Sequence, residues 1–194
     1  MAYKIITDTT VEPITLAEAR EHLRLVAFGD PLAHPDDAYV SSLISVARQF
    51  CEEYTERSFS EKTIELALDG FPDGAIKLPL TPVKTIESVN YVDSDETEQT
   101  VASNQYAIDD YSTPNWLIPT NGFEWPATLE TANNVKVRMV TSDVSPPHPV
   151  LCAMKLIIGE YYKNRELSVN NININELPMG VFSLLQPYRI NIGV

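Results

Sequence analysis

The sequence predicts an α+β protein: an α-helical scaffold, drawn from the N- and C-terminal segments, that carries an inserted small antiparallel β module. Three observations predict it. Apolar residues recur at three- and four-residue intervals near both ends of the 194-residue chain, the period of an amphipathic helix. From about Lys62 the period changes to two, with Pro, Gly, Asn and Asp as punctuation, the pattern of short antiparallel strands wet on one face. No internal repeat at periods of roughly 20 to 50 residues is present, so helices from the two ends are expected to pack together. The expected division is 1–60 as an N-terminal helical segment, 61–144 as the inserted β module, and 145–194 as C-terminal helices and tail. The first and last of these are expected to form one domain.

The elements follow in order. In "ITLAEAREHL" Thr15 and Glu18 have the spacing of a capping box, and Ile14 precedes the cap as a hydrophobic staple. "FGDPLAHPDD" reads as a loop on its Gly and Pro content. A second helix is predicted over about 36–55, because Val40, Leu43, Ile44, Ala47, Phe50, Cys51 and Tyr54 share one face. Alternation in "KTIELALD", "AIKLPL", "SVNYVD" and "NVKVRMV" predicts strands, with weaker ones in "QYAIDD" and "NWLIP". "SPPHPVLCAMKLIIGEYYKNRE" returns to helix after its prolines, placing Val150, Leu151, Met154, Ile157, Ile158, Tyr161 and Tyr162 on its apolar side. Gly159 lies inside that helix at a cost of about 1 kcal/mol relative to alanine, which a close helix crossing would explain. "LSVNNININ" reads as a loop or an extended arm, and a last short helix is expected over about 178–186, followed by the tail.

Composition narrows the function classes. The chain is long enough to bury roughly 70% of its unfolded surface, and 44% apolar with 21% charged residues is ordinary for a globular protein. Cys51 and Cys152 both sit in helical apolar patterns and read as reduced core residues of an intracellular protein. "MAYKIITDTT" has neither a basic n-region nor an apolar h-region, so secretion is not expected. No apolar run approaches the roughly 18 residues of a membrane span. Fourteen Lys and Arg against 27 Asp and Glu leave a net charge of −13. No basic residue falls between Lys84 and Lys136, an interval holding Glu87, Asp93, Asp95, Glu96, Glu98, Asp109, Asp110, Glu124 and Glu130. DNA binding through this section is not expected, since such binding neutralises phosphates with clustered cations.

No cluster carries a catalytic signature. "DSDETE" begins with calcium-loop spacing at Asp93, Asp95 and Thr97, but Glu98 stands where glycine is needed and Asn104 where a bidentate glutamate is needed. A solvated hairpin tip is the expected reading. His148 and Cys152 stand four apart, too few ligands for a metal. Nucleophile elbows, Walker-type loops and dinucleotide fingerprints are missing. Trp116, Phe123 and Trp125 suggest a stacking platform or the cap of a small β core; without flanking basic residues the core or a subunit contact is favoured. No enzyme activity, cofactor or metal is expected.

The order of the pieces carries a resemblance. "ITLAEAREHLRL", "DDAYVSSLISVARQFCEEYTERSF", "LPLTPVKTIESVNYVDSDETEQTVASNQYAID", "VLCAMKLIIGEYYKNRE" and "LPMGVFSLLQPYR" together resemble the head–tail connector, or adaptor, proteins of tailed bacteriophages, over roughly residues 14 to 190. The resemblance implies a non-enzymatic structural component of the virion neck, present in the host cytoplasm during assembly. It implies a homo-oligomeric ring, twelvefold in the particle, that docks onto the portal protein after DNA packaging. A stopper or tail protein would bind its other surface, and duplex DNA would pass through the channel without specific binding. No membrane partner is implied. The rival readings are another neck protein (a stopper or tail-completion protein), a DNA-packaging accessory factor, and a carbohydrate-binding module built on Trp116 and Trp125.

Two surfaces are candidates for that role. From Leu177 to Val194 the sole charged residue is Arg189. Residues 177–185 are expected to be mostly internal. Tyr188, Arg189, Ile190, Asn191, Ile192 and Val194 are expected to meet a neighbouring subunit or the portal, in the heterologous contact a closed ring requires. Asp93, Asp95, Glu96 and Glu98 are the candidate acidic channel or loop surface. They would either repel DNA phosphates or keep the β module soluble.

Overall fold

The computed structural model describes residues 2–8, 11–25, 34–129, 131–165 and 179–190. Two units form: one joins Met1–Val11 to Glu56–Val144, the other joins Glu12–Thr55 to Ser145–Val194.

The first unit is the β unit. Strands β1 (Ala2–Asp8), β2 (Lys62–Leu68), β8 (Val135–Thr141), β4 (Val83–Val92) and β5 (Glu98–Thr100) lie in that order in one antiparallel sheet. Strands β3 (Ile76–Lys77), β7 (Trp116–Pro119) and β6 (Tyr106–Asp109) form a second, smaller one. Register aligns the apolar positions: Ile64 lies opposite Met139 and Leu66 opposite Val137, while Met139 and Val137 face Ile86 and Val89 on their other side. All but the half-buried Ile86 are fully buried, and Ile76, Leu78 and Leu117 from the smaller sheet join the same core. Each such side chain contributes roughly 1.5–3 kcal/mol of burial. Asn115, itself buried, closes the core's polar edge by accepting from the Val83 amide at 2.8 Å.

The second unit is helical: α1 (Leu16–His22), α2 (Asp37–Thr55), α3 (His148–Lys163) and α4 (Met179–Leu185). The capping box at α1 forms as its spacing dictates, with the Glu18 amide donating to Thr15 Oγ1 and the Thr15 amide donating to Glu18 Oε2 at 2.9 Å. Val40, Leu43, Ile44, Ala47 and Cys51 of α2 are buried, as are Val150, Ala153, Met154, Ile157 and Ile158 of α3. At Gly159 α1 comes close to α3: a Cβ there would lie 3.4 Å from Nε2 of His22, an ordinary contact with the end of a side chain, so the helices touch here without the contact requiring glycine. Arg48 was not singled out by the sequence pattern, yet it is buried and donates at 2.9 Å to both Glu12 and Glu52.

Three expectations need correction. The N-terminal segment is not wholly helical: residues 2–8 are extended and join the five-stranded sheet as β1, so the helical scaffold is only part of what the chain ends supply. The run "AYKIITD" lacks an alternating pattern because neither face of this edge strand is buried. Cys152 is exposed, whereas Cys51 is buried. Position 152 lies about 200° around the helix from Val150 at roughly 100° per residue, opposite the buried stripe. The "AIKLPL" run makes only a two-residue strand: the Leu78 amide adds one more in-register bond, to Asn115 O at 3.0 Å, and Pro79 after it has no N–H to carry the ladder on.

Candidate functional site

The C-terminal candidate begins on α4. Val181 and Leu185 are fully buried. Phe182 packs edge-on to Phe50 (6.1 Å between centroids) and tilted to Tyr54 (5.4 Å). The chain then takes a 3-10 turn, Gln186–Tyr188. Tyr54 Oη donates to Gln186 Oε1 at 2.8 Å, and the Arg189 guanidinium lies 5.4 Å from the centre of the Tyr54 ring. The Ile190 amide donates to Thr55 O at 3.0 Å. Thr55 ends α2, where the last carbonyls have no partner inside the helix, so the tail satisfies one of them. Ile190 is 5% exposed. Of the tail positions expected to meet a partner, Ile190 is thus covered by its own chain, Tyr188 is half-buried and Arg189 is exposed. Asn191, Ile192 and Val194 lie outside the described residues.

A clamp stands at the other end of the helical unit. Arg165 donates to both oxygens of Asp36, at 3.2 and 2.7 Å, and its guanidinium lies 4.8 Å from the Tyr39 ring centre and 4.5 Å from that of Tyr162. Tyr162 Oη also donates to Asp36, at 2.5 Å. The Arg165 hydrogen bonds, then that of Tyr162, bring the Asp36 carboxyl down to about 2. This ties the end of α3 to the entry of α2.

The acidic candidate is a hairpin tip joining β4 to β5. Asp93 Oδ1 accepts from the amides of Asp95 and Thr97, both at 3.0 Å, and Oδ2 accepts from Gln99 Nε2 at 2.9 Å. The Gln99 side chain first, then the Thr97 amide, hold the Asp93 carboxyl below its ordinary range. These oxygens are consumed in shaping the turn, which agrees with a hairpin tip rather than a calcium loop. Asp95, Glu96 and Glu98 point to solvent. Seven Lys and Arg against 16 Asp and Glu give the β unit a net charge of −9. Two of its basic residues, Lys4 and Arg138, are drawn to the single carboxylate of Glu65, at 2.7 and 2.8 Å.

Of the aromatic candidates, Phe123 and Trp125 pack on the core, while Trp116 is half-buried at the start of β7. Trp125 stacks on Phe71 at 4.8 Å, Phe123 meets it edge-on at 5.7 Å, and its Nε1 donates to Gly74 O at 2.7 Å. Sequence reasoning missed two exposed features, the apolar side chains of β1 and Tyr111, which is 99% exposed. Exposure follows from neighbours brought by the fold, and no local pattern marks it. Among the described residues no three His, Cys, Asp or Glu side chains converge in a metal-binding group, and no helix is long and apolar enough to cross a membrane.

No family model matches the sequence, and no curated protein matches it. Solved structures do match. A chain in the neck of an empty GTA particle, computed with C6 symmetry, is 23% identical with a TM-score of 0.79, covering 100% of this chain and 98% of its own. A chain in the virion of a native gene transfer agent (GTA) particle is 23% identical at TM-score 0.77, with the same coverage. A third, from the neck of a native GTA particle computed with C12 symmetry, is 22% identical at TM-score 0.71, covering 98% and 97%. The likeness is one of fold, and it extends over both units.

Proposed function

We propose that this chain is a structural neck component of a tailed-phage-like particle, a head–tail connector that forms a ring beneath the portal. It joins capsid to tail and lets duplex DNA pass. The observation that carries this reading is the end-to-end agreement of fold with chains from GTA necks, at TM-scores of 0.71 to 0.79. Two of those necks were computed with C6 and C12 symmetry, which is consistent with copies arranged around an axis.

The physics of the chain supports the role. A strongly negative β unit repels phosphates rather than adhering to them, the property a DNA passage requires. The helical unit is locked by the Arg165 clamp and the Ile190 anchor, so Tyr188 and Arg189 are presented on a fixed base. We assign these two residues, with Asn191, Ile192 and Val194, to subunit or portal contact. The test is negative-stain microscopy of the purified protein, alone and mixed with the portal of the same particle. Rings, or a stoichiometric complex with the portal, are the expected result. A monomer that ignores the portal at high concentration overturns the reading.

A further inference from the structure

We infer that the open edge of β1 is the seat of the neighbouring copy in the ring, meeting the β5 edge of that copy's sheet. The inference rests on the ring reading above and names its contact. The five-stranded sheet has two outer strands, β1 and β5. β1 is seven residues long, pairs among the described residues only with β2, and has every side chain exposed. It carries Tyr3, Ile5 and Ile6, which are 48%, 49% and 40% exposed. Proteins blunt such edges with proline, inward charges or very short strands, because unpaired backbone groups beside apolar side chains invite another strand. β1 has no proline, and its one basic residue, Lys4, lies across to Glu65 on β2. Its blunting devices are the charges of Lys4 and Asp8 and a register shift between Ile5 and Thr7, and they leave the apolar Tyr3, Ile5 and Ile6 in water.

A closed ring needs two different faces on each subunit, since a face that meets itself closes as a dimer. The two sheet edges supply such a pair. Lys4 of β1, already 2.7 Å from Glu65, is 64% exposed and keeps ammonium protons for a second carboxylate, with Asp8 at the far end of the strand; the opposite edge presents Glu98, preceded by Glu96 in the hairpin tip. Direction is also determined. Every neighbouring pair in the sheet is antiparallel, so β1 and β5 run the same way. Copies related by rotation about a ring axis therefore bring them together parallel, with evenly spaced, slanted hydrogen bonds.

The experiment compares three full-length proteins: wild type, the double variant Ile5→Lys with Ile6→Lys, and Tyr111→Lys as an exposed-aromatic control away from the edge. All three are followed by sedimentation and native mass spectrometry over rising concentration. Hydrogen exchange of the amides of residues 2–8 is recorded for wild type in the monomeric and assembled states. The expected result is ring assembly by wild type and the control. The double variant should need about tenfold more protein, equivalent to about 1.4 kcal/mol, and wild-type β1 amides should gain protection on assembly. Undiminished assembly of the double variant, or β1 amides that gain no protection, overturns the edge contact while the ring reading stands. Closed dimers in place of rings overturn the heterologous pairing. Monomers throughout, with or without portal, overturn the ring reading and this inference with it.

Discussion

Ile190→Ala separates a tail that is anchored from a tail that hangs free. The side chain is 5% exposed, and its amide is bonded to Thr55 O at 3.0 Å. Removing three carbons from a buried isoleucine costs about 2–5 kcal/mol. The site lies near the end of the chain, where neighbours relax into a cavity more easily, so the lower part of that range applies, about 2–3 kcal/mol. Urea unfolding followed by helical circular dichroism is the assay. The midpoint should fall with an unchanged slope, since the exposed area of unfolding barely alters. The melting temperature should fall by about 5–10 °C for a chain of this size. Arg189→Ala is the companion: its contact with Tyr54 is exposed, and such contacts contribute about 0.5–1 kcal/mol. A loss below about 0.5 kcal/mol for Ile190→Ala, the size of an ordinary surface change, would refute the anchor and return Ile190 to the set expected to meet a neighbouring subunit or the portal.

Arg48→Ala should destabilise by about 3–5 kcal/mol, because it leaves the buried Glu52 carboxylate without its cation; calorimetry or urea titration reads it, and a loss under about 1 kcal/mol would count against the network. Asp36 sits at about 2 in the folded protein against an ordinary 3.8, so its contribution to stability is complete above about pH 4 and is lost as pH falls toward 2. Asp36→Asn should therefore flatten the acid limb between those values, and an unchanged limb would show that the clamp does not form. Wild-type protein should leave duplex DNA unshifted in gels at low salt. Replacing Asp95, Glu96 and Glu98 with lysine should raise retention, by the phosphate neutralisation that six units of charge permit. Arg189→Ala, stable as above, should weaken portal co-sedimentation; unimpaired docking would remove Arg189 from the contact.

Much of the fold was legible before any coordinates. The α1 cap, the buried stripe of α2 and the strand alternation at β2 and β8 are local patterns, and each side chain's environment there follows from its periodicity. The glycine in α3 could be read as a close approach, though not as an approach by His22. The acidic hairpin was legible as a turn because Asp93, with an amide donor two and four residues on, makes its own local structure. β1 was not legible, since a lone edge strand has no buried face to impose alternation. Nor was Arg48 legible as a buried ion: Glu52 stands one helical turn on, a readable spacing, but Glu12 is brought to it from 36 residues away.

The amino-acid sequence by itself determined the charge balance, the succession of helix, strands and helix, and a C-terminal end nearly without charge. Tertiary structure decided which of those greasy residues are used at home. Ile190 turns inward where its amide meets a carbonyl at the end of α2, a segment more than 130 residues away, while Ile5 and Ile6 lie exposed on a strand that pairs, among the described residues, on one side only. Burial is a property of neighbours, and long-range neighbours are what a linear pattern cannot supply.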